Sequence, residues 1–96
     1  MPTLAATPSA PMIFPNPNNG DLLRVRWSVG PETDSEAVRV QLLDLTGKLI
    51  QQSTLNAEHG MLNGTLQLVG SIPSGLYLVE LTNGHTTFTE RLVIQR

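Results

Sequence analysis

The chain has 96 residues, of which 40% are apolar, and six basic against eight acidic side chains leave a net charge of −2. This length suits one domain, since single domains usually have about 100 to 150 residues. The charge balance excludes a nucleic-acid binder, because such a protein needs a concentrated basic surface. The apolar runs are far shorter than the ~18 residues of a membrane-spanning helix. Without cysteine, the chain has neither disulfides nor a zinc-thiolate site.

The first twelve residues are uncharged and rich in proline, threonine, serine and alanine. This composition predicts a flexible linker over residues 1–12 and a folded domain over residues 13–96. The linker lacks the basic start and the apolar stretch of about 7 to 15 residues that mark a secretory signal peptide. We therefore expect it to tether the domain to the preceding part of a longer protein.

Apolar and polar residues alternate in the first patterned run, as expected for a strand with one buried face. Leu23, Val25 and Trp27 share that face. The next run has the same pattern and ends at 44–48 (DLTGK), a turn-rich segment that reverses the chain. The return strand over 49–55 is rich in polar residues, which favours a position near a sheet edge.

The second half of the domain continues the strand pattern. Residues 56–60 are predicted to form a loop, and alternation resumes in a strand over 62–68. Two further strands, over 76–81 and 86–94, are joined by 82–85. The Asn-Gly pair in that connection is the strongest short hairpin signal, because both residues tolerate a positive φ.

A short extended piece near Ile13 brings the prediction to seven strands, and no long run has a helical period. Seven short strands at this spacing are typical of a sandwich or barrel. We therefore predict an all-β fold in which two packed antiparallel sheets enclose an aliphatic core. The predicted core residues are Leu23, Val25, Trp27, Val40, Leu42, Leu66, Tyr77, Val79, Leu92 and Ile94.

Candidate catalytic residues are few. His59 and His85 fall in loops or turns and lack the local spacing of a zinc site, so we interpret both as surface histidines. No nucleophile elbow or phosphate-binding loop is present. The sequence therefore predicts neither an enzyme nor a cofactor site.

Calcium is considered for two segments. Residues 16–21 resemble a calcium loop, but the first position holds no acid and the twelfth holds Trp27, where a bidentate glutamate is required. Glu32, Asp34 and Glu36 would point to one side of an extended segment. We favour a solvated acidic loop there over a calcium site.

Three motifs in fixed order carry a family resemblance. The first is 14–17 (FPNP) followed by Gly20, and the second is the reversal at 44–48. The third is 72–79 (IPSGLYLV), which leads to the C-terminal 91–96 (RLVIQR). Together they resemble the type A C-terminal sorting domain of type IX secretion system cargo in Bacteroidota. The resemblance covers residues 13–96 and implies a seven-stranded immunoglobulin-like antiparallel β-sandwich.

The resemblance also implies a function. Such a domain is a C-terminal secretion signal, which directs its cargo through the periplasm and across the outer membrane to the cell surface or the medium. The implied partners are the type IX translocon, an outer-membrane shuttle barrel and a sortase-like signal peptidase that removes the domain. By this analogy the cut falls in the linker before Phe14. No nucleic acid, cofactor or small-molecule substrate is implied.

The recognition motif that the resemblance implies has structural explanations at most positions. Its prolines fix φ and lack amide donors, so the first strand should lie at a sheet edge. Gly47 and Gly75 would permit positive φ in turns, and Tyr77 would be a core aromatic with its hydroxyl at the surface. The motif comprises Phe14, Pro15, Asn16, Pro17, Gly20, Asp44, Gly47, Gly75, Tyr77, Arg91, Val93 and Arg96.

Arg91 and Arg96 stand apart, because strand stability does not require a charge at these positions. A receptor could read the Arg96 guanidinium together with the C-terminal carboxylate. The last strand should also present unpaired backbone groups at a sheet edge, where a partner can add a strand. The same edges would allow a monomer or a weak homodimer.

The alternative function is that of a non-catalytic adhesion or carbohydrate-binding sandwich carried on a proline-rich linker. Carbohydrate sites usually expose aromatic side chains for stacking. The chain has four aromatic residues, Trp27, Tyr77, Phe14 and Phe88, and at least two are expected in the core. The sorting domain is therefore the favoured interpretation.

Overall fold

The structure is a computed structural model and describes residues 10–28, 35–70, 72–84 and 86–96. These residues form seven strands and no helix, so none of them belongs to a helix that could span a membrane. The strands pair antiparallel throughout, which confirms the predicted all-β class and strand number. They are β1 (Met12–Phe14), β2 (Leu22–Ser28), β3 (Ser35–Leu43), β4 (Leu49–Glu58), β5 (Met61–Gln67), β6 (Gly75–Thr82) and β7 (Thr87–Ile94).

Hydrogen bonds join all seven strands into one sheet in the order β1-β2-β5-β4-β3-β6-β7. Within the described residues, β4 and β5 pair at a single position, Glu58 with Met61. The sheet therefore consists of two well-paired halves, β1-β2-β5 and β4-β3-β6-β7. At its ends, Asn18 forms a parallel bridge with Ile94, which nearly closes the sheet into a barrel. Two separate sheets were expected, and one continuous sheet is found. This arrangement is compatible with an immunoglobulin-like sandwich.

The core lies between the two halves of the sheet. Trp27 of β2 and Phe88 of β7 meet edge to face with their ring centroids 5.5 Å apart, although these strands are not neighbours in the sheet. Burial of each large side chain contributes about 1.5–3 kcal/mol before entropy is counted. All ten predicted core residues are buried, and they are joined by Val38, Ala57, Leu62, Leu68, Ile72 and Leu81.

A polar side chain bridges the gap between β4 and β5. The Gln51 side chain donates to the Gln67 carbonyl (2.9 Å) and accepts from the Val69 amide (2.9 Å). These bonds replace a backbone ladder where the two strands separate. β4 is not an edge strand, since it lies between β5 and β3 in the sheet. Its side toward β5 is nevertheless largely unpaired, which fits its polar composition.

The predicted loop over 56–60 is wrong. β4 continues to Glu58, and a two-residue turn of His59 (φ 55°) and Gly60 (φ 78°) connects it to β5. Two central residues with positive φ match the right-handed twist of the flanking strands. The second hairpin lies where the Asn-Gly pair predicts it, and there the Thr86 amide donates to Asn83 Oδ1 (2.8 Å).

The turn between β3 and β4 is organised by one carboxylate. Asp44 Oδ1 accepts from the Thr46 amide (2.9 Å), the Thr46 hydroxyl (2.6 Å) and the Lys48 amide (2.9 Å). The Thr46 hydroxyl and then the Lys48 amide hold the pKa of Asp44 below its usual value. Gly47 has φ +90° at this turn, as expected.

We expect the loss of stability caused by the Asp44→Asn substitution to depend on pH. The folded pKa of Asp44 is lowered, so the ionised carboxylate stabilises the turn above the unfolded pKa of about 3.9. That contribution disappears as the pH falls through the lowered folded pKa. Denaturant unfolding of the wild type and the variant should show a difference near neutral pH that shrinks in acid. A difference that is constant across this range would contradict the assignment.

Gly47 and Gly70 provide a matched pair, because a Cβ at either position would meet no atom within 4 Å and only Gly47 has a positive φ. We expect Gly47→Ala to lower the free energy of unfolding by about 1–2 kcal/mol. Gly70→Ala should be neutral or stabilising by up to about 1 kcal/mol. Equal effects in chemical denaturation would show that backbone strain is not the reason for glycine at position 47.

Candidate recognition site

The segment after β1 runs alongside the last strand. The Asn18 amide donates to the Val93 carbonyl (2.7 Å), and the Gln95 amide donates to the Asn18 carbonyl (2.8 Å). This is the parallel bridge that nearly closes the sheet. The opening motif and the C-terminal motif, far apart in sequence, therefore meet in the fold.

Asn16 extends this contact with its side chain. Its Nδ2 donates to the Arg91 carbonyl (2.8 Å), and its Oδ1 accepts from the Val93 amide (3.0 Å). The side-chain amide thus takes the place of a peptide group beside β7. We call Asn16 and Asn18, with their bonds to β7, the asparagine clasp. The expectation of a free edge is wrong for this stretch, because a partner strand would first have to displace the clasp.

Asn18 is 1% exposed and is the buried polar residue of the described core. Its Nδ2 donates to the carbonyls of Pro15 (3.1 Å) and Leu22 (2.8 Å), and its Oδ1 accepts from the Gly20 amide (2.7 Å). Burial of an amide is favourable only when its hydrogen bonds are made, and here they are. Sequence reasoning considered Asn18 only within an unsuitable calcium loop. One sequence signal points to this structural role: an asparagine side chain often bonds the backbone two residues later, as Asn18 does with the Gly20 amide.

Gly20 is packed against the C-terminal residue. A Cβ at Gly20 would lie 2.9 Å from both Cζ and Nη2 of Arg96, and Gly20 has φ +90°. Any other residue would therefore strain the backbone and displace the guanidinium. This close approach explains the glycine of the opening motif without reference to a receptor.

Arg96 has structural contacts that the sequence argument did not foresee. Its Nε donates to the Ile72 carbonyl, its Nη2 donates to the Gly70 carbonyl (3.2 Å), and its amide donates to Ser74 Oγ (2.9 Å). Through these hydrogen bonds Arg96 joins the segment before β6 to the end of β7. Recognition of Arg96 by a receptor stays a prediction.

Gly75 and Tyr77 differ from expectation. Gly75 is the first residue of β6 and lacks a positive φ, so the turn explanation is wrong for it. Tyr77 is a core aromatic, as predicted, at 6% exposure. Its hydroxyl is not free at the surface, because it donates to the Pro73 carbonyl (2.7 Å). A tyrosine bonded to backbone a few residues upstream also occurs in immunoglobulin-like sandwiches.

Most of the other predicted site residues lie near the clasp, and Asp44 lies apart from it. The β1 strand is an edge strand, as the prolines predict, and Phe14 is half-buried at its end. Val93 and the exposed Arg91 lie on β7 beside Asn16. By contrast, the hydrogen bonds of Asp44 stay within its own turn. A shallow groove beside the opening motif is lined by Phe14, Pro15, Asn19, Asp21, Leu22 and Arg24.

The described part of the chain contains no group of three histidine, cysteine or acidic residues that could hold a metal ion. Glu32 and Asp34, considered above for calcium, lie outside the described residues, as does His85. His59 is exposed in the turn after β4.

The chain matches the model of a known protein family. The model of the family described as the secretion system C-terminal sorting domain matches residues 12–95. This range contains all seven strands and both asparagines of the clasp. A search of curated proteins found no match.

We expect Asn18→Ala to lower the free energy of unfolding by roughly 2–4 kcal/mol, because it leaves the buried Gly20 amide and two carbonyls without partners. Asn19→Ala is the control, since Asn19 is exposed and accepts one bond from the Asp21 amide. It should cost no more than about 1 kcal/mol. Chemical denaturation measures both, and equal losses would contradict the role assigned to Asn18.

Proposed function

The chain belongs to the family of secretion system C-terminal sorting domains, and we propose that the machinery recognises the surface where the asparagine clasp joins the opening motif to β7. The domain is a C-terminal secretion signal of the type IX system, so its cargo is exported across the outer membrane. The observation that carries this function is the family match over residues 12–95. The family is one of sorting signals and is not known to be catalytic.

We propose three partners for this domain. The translocon and an outer-membrane shuttle barrel bind it after its passage through the periplasm, and a sortase-like peptidase then removes it. The cut falls in the linker over residues 1–12, ahead of Phe14. The position of β1 supports this, because a cut before Met12 leaves every described strand intact.

The clasp supports recognition of a folded domain instead of a linear tag. Asn16 and Asn18 bond the backbone of residues 91–95, so in the folded domain the opening motif covers the edge of β7 that faces away from β6. A receptor that binds this end of the molecule therefore detects both motifs at once.

Arg91 and Arg96 have different roles in this proposal. Two guanidinium nitrogens of Arg96 already donate to the backbone carbonyls of Ile72 and Gly70, which makes Arg96 a positioning residue. The Arg91 side chain is exposed beside the clasp, where a partner can reach it. We therefore assign the receptor contact to Arg91.

The glycan-binding alternative gains no support from the aromatic residues. Trp27 is 2% exposed and Tyr77 is 6% exposed. Phe14 and Phe88 are half-buried, and Phe88 packs against the core. Stacking on a sugar requires an open aromatic face, which none of the four presents fully.

The test fuses the whole chain behind a signal peptide and a fluorescent reporter in Bacteroidota cells. We expect the reporter to reach the surface or the medium only with a working type IX translocon, and to lose the mass of the domain on the way. The control reporter carries the signal peptide without the chain and should stay in the periplasm.

Retention of the full fusion in the periplasm of both strains, with the domain folded, would contradict the function. Recognition of the last strand predicts that deletion of residues 93–96 abolishes export. This deletion is nevertheless a poor test of recognition. It removes Ile94, which is 1% exposed, and would disturb the core as well as the signal.

A further inference from the structure

The outward face of β4-β3-β6-β7 is divided into a polar end and an apolar end. Strand alternation predicts polar residues on such a face throughout. Two rows of paired residues fit this expectation. They are Thr54, Arg39, Thr82 and Thr87 in one row, and Gln52, Gln41, Glu80 and Thr89 in the next.

The next two rows are apolar except for one arginine. The first contains Leu49, Leu43, Leu78 and Arg91, and the second contains Leu76 and Val93. We call these six residues the leucine patch. Leu49 is 46% exposed and Leu76 is 39% exposed, while Leu43, Leu78 and Val93 are half-buried. A contiguous apolar patch of exposed and half-buried residues marks an interaction site more often than single exposed residues do.

Arg91 is an uncompensated cation within the patch. No hydrogen bond or ion pair within the described part of the chain engages its guanidinium, and its carbonyl accepts from Asn16. Glu80 lies in the next row, opposite Thr89. The Asp44 carboxylate is occupied inside its own turn. The patch therefore offers apolar contact around one positive charge.

Resting on the proposed function, we propose that the leucine patch docks a protein of the secretion machinery whose contact surface is apolar around a carboxylate. Apolar side chains at the centre of an interface supply affinity, and a matched charge pair supplies specificity. The patch also adjoins the clasp, since Asn16 bonds both Arg91 and Val93 of β7. A partner on this face would thus contact the folded opening motif as well.

The charge of the patch favours a protein partner over a second copy of the chain and over a membrane surface. In a symmetric dimer the same patch faces itself, and none of its six residues is acidic, so a second copy of the patch offers Arg91 no carboxylate. A membrane surface is bound by clusters of about four to eight basic residues, whereas this patch holds a single arginine. A protein surface with a carboxylate satisfies both the apolar area and the charge.

The test uses the full-chain export fusion described above. We expect the double variant Leu49→Thr/Leu78→Thr to lower export about tenfold, and Arg91→Glu to do the same, as for residues central to an interface. Arg91→Lys should retain most of the export. Threonine keeps the preference for strand, and Arg91→Glu leaves every hydrogen bond of the clasp in place.

Matched controls separate the patch from general effects of hydrophobicity and charge. Met61→Thr removes a side chain that is 44% exposed on β5, and Arg39→Glu reverses a charge at the polar end of the same face. Both should export within about twofold of the wild type, since residues outside an interface core are near-neutral. Circular dichroism and thermal unfolding show whether each purified domain is folded. If the leucine variant does not fold, export of Arg91→Glu alone tests the role of the leucine patch.

The outcomes separate the patch from the proposed function. If the wild type is exported and the folded patch variants are exported equally well, the docking role of the leucine patch is overturned and the proposed function stands. A wild-type chain that is not exported overturns the proposed function, and the patch assignment falls with it. Loss of export in the controls, a wild-type dimer that the variants abolish, or binding to phosphatidylglycerol vesicles that the variants abolish, would likewise overturn the assignment.

Discussion

Asn18 is the residue on which the closure of this sheet depends. Its backbone bonds the last strand at Val93 and Gln95, and its side chain bonds the chain on either side of it, at Pro15, Gly20 and Leu22. The side chain is buried and its hydrogen bonds are buried or partly buried, so loss of the amide leaves its partners unsatisfied. The opening motif is thereby held in one shape, and that shape aligns it with β7.

The contacts around this clasp give structural reasons for residues that are otherwise known only as a motif. Gly20 leaves space for the Arg96 guanidinium, which in turn holds the carbonyls of Ile72 and Gly70 before β6. Tyr77 bonds the Pro73 carbonyl from the core side of the same segment. The three sequence motifs are therefore not all independent signals. The first and the third form one end of the molecule, while the reversal at Asp44 is a self-contained turn.

The sequence predicted the strands and the ten core residues well, since alternation fixes which side chains face inward regardless of partner. It could not predict the clasp, because Asn16 and Arg91 are 75 positions apart and polar residues in a loop carry no sign of a distant partner. The same limit applies to Arg96, whose contacts come from a different part of the chain. The leucine patch was also missed, since it is defined by rows across four strands and the strand order was unknown. The error at 56–60 arose because the tight turn at His59 and Gly60 is not an Asn-Gly pair.

The central claim is that the opening motif and the last strand form one cooperative unit. Amide hydrogen exchange of the intact chain, followed residue by residue, tests this most directly. The account predicts that the amides of Asn18, Val93 and Gln95 exchange as slowly as those of the central strand β3, because they open only when the domain unfolds. Fast exchange at these three amides, with β3 still protected, would show that the two ends separate freely and would contradict the account.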